Sequence, residues 1–318
     1  MQNIDSKVIV LGTGGTIAGT SADADDNVGY TAAQIGVAAL VRAVPALTGL
    51  GVEAEQVAQL DSKDMSHAVW RELALRCAHH LARVDVCGLV VTHGSDTLEE
   101  TAWFLQRVLA PHKPVVLTAA MRPATALQAD GPQNLLDAVR VARVPGACGV
   151  VAVLAGQIHG ARDVRKVHTY RIDAFGSGDA GAIGCIEEGR LRLFRAWPHG
   201  EALGLGVLPL GDAAVWPQVE IVTSHAGASG TVVRALCSVG VRGLVVATTG
   251  NGTLHHDLEV ALLEAQTHGI AVLRSSRCRD GRVLGTGHDT LPSADDLTPE
   301  KARVELMLGL MQAQRAPR

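Results

Sequence analysis

Residues 8–16 read VIVLGTGGT, an unbroken apolar run that stops at a glycine-rich turn ending in a hydroxyl. A short apolar run bounded by glycines is the pattern of a strand buried on both faces, as in a parallel sheet covered by helices. The pattern recurs along the chain as GLVVTHGS at 88–95, PVVLTAAM at 114–121 and GVVAVLAG at 149–156, with stretches of helical period between the runs. After about residue 217 it restarts with VEIVTSHAG, GLVVATTGNG and GIAVLRSS, and Leu258 to Thr267 reads as a helix. This alternation predicts an α/β chain. A large N-terminal domain, with a doubly wound and mainly parallel sheet, is expected over 1–196, and a smaller C-terminal α/β domain over 217–318. Residues 197–216 carry Pro and Gly without sustained period and read as the linker.

Composition narrows the function classes. The 318 residues are 47% hydrophobic and only 3% aromatic, so small residues and Val/Leu build the interior. A net charge of −4 offers no electrostatic case for a nucleic acid or an anionic membrane as partner. The six cysteines lie far apart without CxxC or metal-ligand spacing, and read as ordinary buried thiols of a reducing compartment. The start, MQNIDSKVIVLG, shows no leader pattern, and no apolar run reaches the length of a membrane span, so a cytoplasmic location is expected.

Ligands of open parallel sheets bind beyond the carboxyl ends of the strands. The tips GTGGT, THGSDT and TTGNGT fall there. The first invites a nucleotide reading, but a GxGxxG fingerprint from Gly12 needs glycine at 17 and finds Ile17. Two readings remain, a purely structural glycine turn and a turn that presents the hydroxyl of Thr16 as a nucleophile, which requires activation by a neighbouring base or relay. In the second tip, Ser95 and Asp96 put a hydroxyl beside a carboxylate at a helix N-terminus. Thr97 and Glu100 form a capping-box pattern that opens the helix, and Thr298 with Pro299 opens the last one. Residues 19–30, GTSADADDNVGY, have the polar, glycine-flanked composition of a mobile lid. His93 is read only as orienting its loop, and the other histidines as surface or satisfied residues.

Four segments in order, TGGTIAGT, VVTHGSDTLEETAWFL, AAMRPATALQADGPQNLLDAV and ARDVRKVHT, resemble those of the bacterial-type asparaginase and glutaminase-asparaginase family. The likeness covers nearly the whole chain. It implies hydrolysis of L-asparagine to L-aspartate and ammonia, without metal or organic cofactor, in a homodimer or homotetramer. By that resemblance Thr16 is the nucleophile, Tyr30 is the lid tyrosine bonded to it, and Ser95, Asp96 and Lys166 are the relay. Ser62 then helps hold the substrate's α-carboxylate, Asp96 its α-amino group, and Ala120 lies near the oxyanion.

Three departures bear on the substrate. Position 95 is serine where the family usually has threonine, which keeps the hydroxyl and loses the methyl that stiffens χ1. Lys63 stands where Gln or Glu is usual beside the α-amino group. Like charges repel, so Lys63 must point elsewhere, pair with the carboxylate, or signal a modified amine; Lys63→Gln is then expected to change preference more than turnover. No glutamate occurs between Glu264 and Glu300, where the family's counterpart segment supplies one to a neighbouring subunit. Asp280 and Asp289 are possible substitutes, and Thr253 of the GNGT motif takes a position often held by Asn or Ser. Alternatives are a glutaminase or an amidase on a modified amide with the same site, a nucleotide-binding oxidoreductase, or a non-catalytic amino-acid sensor.

Overall fold

A computed structural model describes residues 6–209, 215–287 and 289–315. Residues 210–214 of the expected linker, and the first five residues, from which a missing leader was read, lie outside the described set. The chain divides into two compact units after Leu205.

The first unit is built on β1 (Lys7–Gly14), β2 (Val52–Leu60), β3 (Val86–Thr92), β4 (Val115–Thr118), β5 (Val150–Leu154), β6 (Gln157–Gly160), β7 (Arg165–Lys166), β8 (Phe175–Gly176), β9 (Gly184–Glu187) and β10 (Arg190–Leu193). Its helices are α1 (Val37–Arg42), α2 (His67–Leu81), α3 (Leu98–Leu109) and α4 (Gly131–Ala142). Eight strands form one sheet in the order β10-β9-β6-β5-β4-β3-β1-β2, and β7 with β8 makes a separate hairpin. The five strands from β5 to β2 pair in parallel, and β6, β9 and β10 extend the sheet antiparallel. The apolar runs of β1, β3, β4 and β5 are buried almost throughout because helices cover both faces. Val8, Val10, Val90, Val116 and Val151 pack with Leu135 and Val139 of α4. Elsewhere Trp70 of α2 stacks on Phe104 of α3 at 4.9 Å.

Edge strand β2 escaped the sequence reading because it alternates charge with apolar residues. Glu53 and Glu55 face Lys7 and Arg76 across 2.5 Å ion pairs, as suits a sheet edge. The chain leaves β1 towards β2 on one side and leaves β3 towards β4 on the other. The carboxyl ends of β1 and β3 therefore flank the topological switch point, where a crevice opens.

The second unit holds β11 (Val219–Thr223), β12 (Gly243–Thr248) and β13 (Ala271–Ser276), all parallel, with α5 (Thr231–Ser238), α6 (His256–Thr267) and α7 (Pro299–Arg315). Val222, Leu244 and Val246 pack with Val233, Leu258 and Leu262 of α5 and α6. On the other face α7 covers the sheet, with Leu306 against Gly243. Thr298 caps α7, its hydroxyl accepting the Lys301 N–H at 3.4 Å. Among the described residues no helix is long and apolar enough to cross a membrane.

Candidate active site

The tips of β1 and β3 meet at the switch point because glycines let their backbones touch. A Cβ on Gly15 would stand 2.4 Å from Cα of Gly94, and one on Gly94 would stand 2.4 Å from the Ser62 hydroxyl. The Thr13 hydroxyl donates to the Thr92 carbonyl at 2.9 Å and ties the two strands just before their turns. After β1 comes a single 3-10 turn, Thr16–Ala18, and the next helix opens only at Val37. No helix N-terminus follows the GTGG turn directly, so the glycines serve close approach rather than a pyrophosphate.

Thr16 is buried at the head of that turn, and its Oγ1 shares a hydrogen bond of 2.6 Å with the Tyr30 hydroxyl. Tyr30 reaches it because segment 19–30 closes on itself: Thr20 and Thr31 exchange two backbone hydrogen bonds of 2.9 Å. Within the segment the Asp26 carboxylate accepts the Val28 and Gly29 N–H groups, which holds its pKa below the ordinary value. The outside of the segment is held at Ser21, whose N–H donates to Thr125 Oγ1 at 2.8 Å.

Lys166 comes from the β7–β8 hairpin. Its ammonium donates to Ser95 Oγ at 2.9 Å and to Asp96 Oδ1 at 2.6 Å. Because the Ser95 oxygen accepts there, its own proton is left to point elsewhere. Thr16, Tyr30, Ser95, Asp96 and Lys166 line one cavity of about 240 Å³, together with Asn27, Val28, Met121, Thr169 and Tyr170. Met121, Thr169 and Tyr170 received no role from sequence reasoning. A signal existed for Met121 and Thr169, which lie in the quoted segments AAMRPATALQADGPQNLLDAV and ARDVRKVHT.

Three expected site residues are not among those that line the cavity. Ser62 is buried, its Oγ accepts the Asp96 N–H at 3.2 Å, and its carbonyl accepts the Thr97 hydroxyl at 2.8 Å. Ala120 is fully buried and packs with Ile17, Ala18 and Leu40. The Lys63 ammonium turns to Asp61 at 2.7 Å and Asp64 at 3.4 Å, the first of the three alternatives open to it. The Thr97 capping expectation needs correction. Thr97 does precede α3, but its hydroxyl makes no cap and is spent on Ser62. The cysteine reading also needs correction: all six are free, but only Cys77 and Cys185 are buried, Cys87, Cys148 and Cys237 are partly buried, and Cys278 is exposed.

His93 takes the loop-orienting place that its sequence context suggested. It is fully buried, and burial pushes its pKa down to about 4, so the ring is neutral near pH 7. Nδ1 contacts the Gly94 carbonyl at 2.7 Å, which only an N–H can satisfy, and that fixes the tautomer. Nε2 must then accept from the Thr101 hydroxyl at 3.0 Å, whose oxygen accepts the Trp70 indole N–H at 2.8 Å. This directed chain from α2 through α3 orients the loop that carries Ser95.

In the second unit, Asn251 exchanges hydrogen bonds with the Leu284 backbone, and Thr253 pairs with Thr249. Asp289 accepts from Thr286 and faces Arg274 at 3.1 Å, which ties it within its own unit. Among the described residues no three His, Cys, Asp or Glu side chains are grouped so as to hold a metal ion.

Comparison with known proteins bears on this geometry. The family model described as Asparaginase, N-terminal matches residues 7–199, and that for the Glutaminase/Asparaginase C-terminal domain matches 218–317. L-asparaginase 2 of Escherichia coli is 38% identical over 318 residues, covering 96% of this chain and 89% of its own. L-asparaginase 2 of Bacillus subtilis is 37% identical, with 95% and 81% covered. The glutaminase-asparaginase of Pseudomonas fluorescens is 36% identical, with 97% and 87% covered. A solved structure, the probable cytoplasmic L-asparaginase from Campylobacter jejuni, is similar with a TM-score of 0.89 at 38% identity, covering 96% of this chain and 95% of its own.

Proposed function

This chain belongs to the asparaginase family, and from that premise we infer that it is an amidohydrolase converting L-asparagine to L-aspartate and ammonia through an acyl-enzyme on Thr16. One observation carries the reading: the Thr16 hydroxyl, its Tyr30 partner and the Lys166-bridged pair Ser95 and Asp96 share one small cavity. In the first half-reaction Thr16 Oγ attacks the side-chain amide carbon and gives up its proton. The C–N bond then breaks, a proton reaches the leaving nitrogen, and ammonia departs from a threonine ester. In the second, water attacks the ester carbonyl, its proton returns to Thr16 Oγ, and aspartate is released. The scheme uses no metal or organic cofactor.

The groups divide the work by position. Tyr30 shares a 2.6 Å hydrogen bond with Thr16 Oγ1, which suits it to take up the Thr16 proton when its own hydroxyl is the acceptor. Lys166 holds Ser95 Oγ and Asp96 in one orientation, which suits a relay for the attacking water. The exposed carboxylate of Asp96 suits the substrate's α-ammonium group and Ser62 backs that loop, while a place for Ala120 near the oxyanion rests on the family likeness. A homodimer or homotetramer belongs to the same reading, on the family likeness. So does a cytoplasmic location, supported by six free cysteines and by the Campylobacter jejuni relative's description as cytoplasmic.

A second substrate, glutamine, is favoured by relatives named glutaminase-asparaginase at 36% identity, and the missing glutamate between Glu264 and Glu300 leaves the amide open. Ammonia release from L-asparagine, L-glutamine and their D forms, by wild type and Thr16→Ala, tests both readings. Asparagine is expected to lead, and Thr16→Ala to be inactive on every amide. Equal rates for the two proteins would overturn the nucleophile, and faster turnover of glutamine would replace the substrate alone.

A further inference from the structure

Beyond the end of β4 the chain runs Ala119-Ala120-Met121-Arg122, and Met121 lines the cavity. Ala119 and Ala120 are fully buried, but their methyl groups cannot fix the direction of the peptide groups at the tip. Two polar side chains one turn apart on α4 hold it instead. The Asp130 carboxylate accepts the Met121 N–H at 3.1 and 3.0 Å with its two oxygens, and the Arg122 N–H at 2.9 Å. Asn134 lies four residues on, on the same helix face. Its amide donates to Asp130 at 3.2 Å and to the Ala119 carbonyl at 2.9 Å, while its oxygen accepts the Ala155 N–H at 2.9 Å.

Both side chains are buried, and neither is among the residues that line the cavity. Between them Gly131 brings the helix hard against the site: a Cβ there would stand 2.8 Å from Ile17 Cγ1 and 3.5 Å from the Ala120 Cβ. Ile17 follows the Thr16 nucleophile directly. The first turn of α4 thus touches both sides of the reaction centre, the nucleophile's turn and the β4 tip. Burying a carboxylate is unfavourable, and desolvation indeed raises the Asp130 pKa against the pull of the backbone amides. Apolar packing would cover the same space without that cost, but would not fix the direction of three peptide groups.

We propose that Asp130 and Asn134 are positioning residues for the hydrolysis, and that their joint hold on Ala119, Met121 and Arg122 sets where the β4 tip stands relative to Thr16. The inference rests on Thr16 being the nucleophile. It predicts a loss in turnover rather than in substrate binding, since neither side chain lines the cavity.

Asp130→Asn is nearly isosteric but turns one acceptor into a donor facing backbone N–H groups. Its kcat on asparagine is expected to fall about 30- to 100-fold with KM within about threefold of wild type, the scale of a loop misplaced by about 1 Å. Asn134→Ala, which spares the Asp130 contacts to Met121 and Arg122, is expected to lose about tenfold in kcat with the same constancy of KM. A folded Asp130→Asn with wild-type kcat, or a KM rise as large as the kcat loss, overturns the proposal. If Asp130→Asn does not fold, Asn134→Ala decides by the same criteria. Thr16→Ala measured alongside separates the two readings: wild-type activity there removes the nucleophile, whereas its loss beside an unaffected Asp130→Asn removes only the positioning role.

Discussion

Gly15→Ala is the smallest change that should part the two catalytic tips. Gly15 has φ 81° and ψ −173°, a conformation nearly confined to glycine, and an alanine there costs about 1–3 kcal/mol in backbone strain. The added Cβ would lie 2.4 Å from both N and Cα of Gly94. Ordinary contact needs about 3.5 Å, so the tips must separate by 3.5 − 2.4, about 1 Å. Rotation offers no escape because the obstructing atoms are backbone, with the Gly15 N–H held by the Leu60 carbonyl at 2.9 Å. Overpacking of this kind costs about 1–3 kcal/mol more. The sum, about 2–6 kcal/mol, lowers the apparent Tm by about 5–20 °C for a unit of this size. Thr16 follows Gly15 and Ser95 follows Gly94, so the displacement falls on both hydroxyls. A 1 Å error in such geometry costs about 100-fold in rate. The assay is ammonia release at saturating asparagine, below the variant's unfolding temperature, with a melting curve on the same sample. A variant within about threefold of wild-type kcat and about 2 °C of its Tm would refute the close-approach reasoning.

Other residues give independent checks. His93 is neutral when folded, with a pKa of about 4, and protonates near 6.5 when unfolded, so its contribution is whole above pH 6.5 and is lost as pH falls towards 4. The loss is on the order of 3 kcal/mol, and urea unfolding should show a shallower fall over that range for His93→Gln; parallel curves would contradict the buried neutral ring. Thr97→Val should cost about 0.5–1.5 kcal/mol through the lost bond to Ser62, and Thr97→Ser should recover it; an unaffected valine variant would mean that the bond contributes nothing. Lys63 is paired with Asp61 and Asp64, so Lys63→Gln should leave the ratio of kcat/KM for asparagine and glutamine within about twofold, and a larger change would put its ammonium at the substrate.

The parallel strands were legible because a strand buried on both faces must be apolar throughout, and the runs from Val8, Leu89, Val115 and Val150 are. The edge at β2 was not, since an edge strand answers to its ion pairs at Glu53 and Glu55 rather than to a core. Thr97 shows a limit of another kind. Its spacing to Glu100 fits a capping box, but the hydroxyl met a carbonyl 35 residues away in sequence, at Ser62, which no local pattern encodes. The candidate site was legible as a set of tips and a family likeness. Of the supports behind it only His93 was read, as orienting its loop; Trp70, Thr101, Asp130 and Asn134 were not, because they act through tertiary hydrogen bonds and their spacing carries no periodic signal. For Lys63 the sequence left three alternatives open, and the pairing with Asp61 and Asp64 takes the first of them, which only the fold could select.

The covalent chemistry at Thr16 can be observed directly. Enzyme mixed with L-asparagine is quenched in acid on the millisecond scale and digested, and the peptide spanning Thr16 is weighed. An aspartyl ester on Thr16 is expected during turnover, absent from Thr16→Ala and from enzyme mixed with buffer lacking asparagine. Full turnover with no adduct on that peptide, or an adduct on Ser95 instead, would contradict Thr16 as the nucleophile.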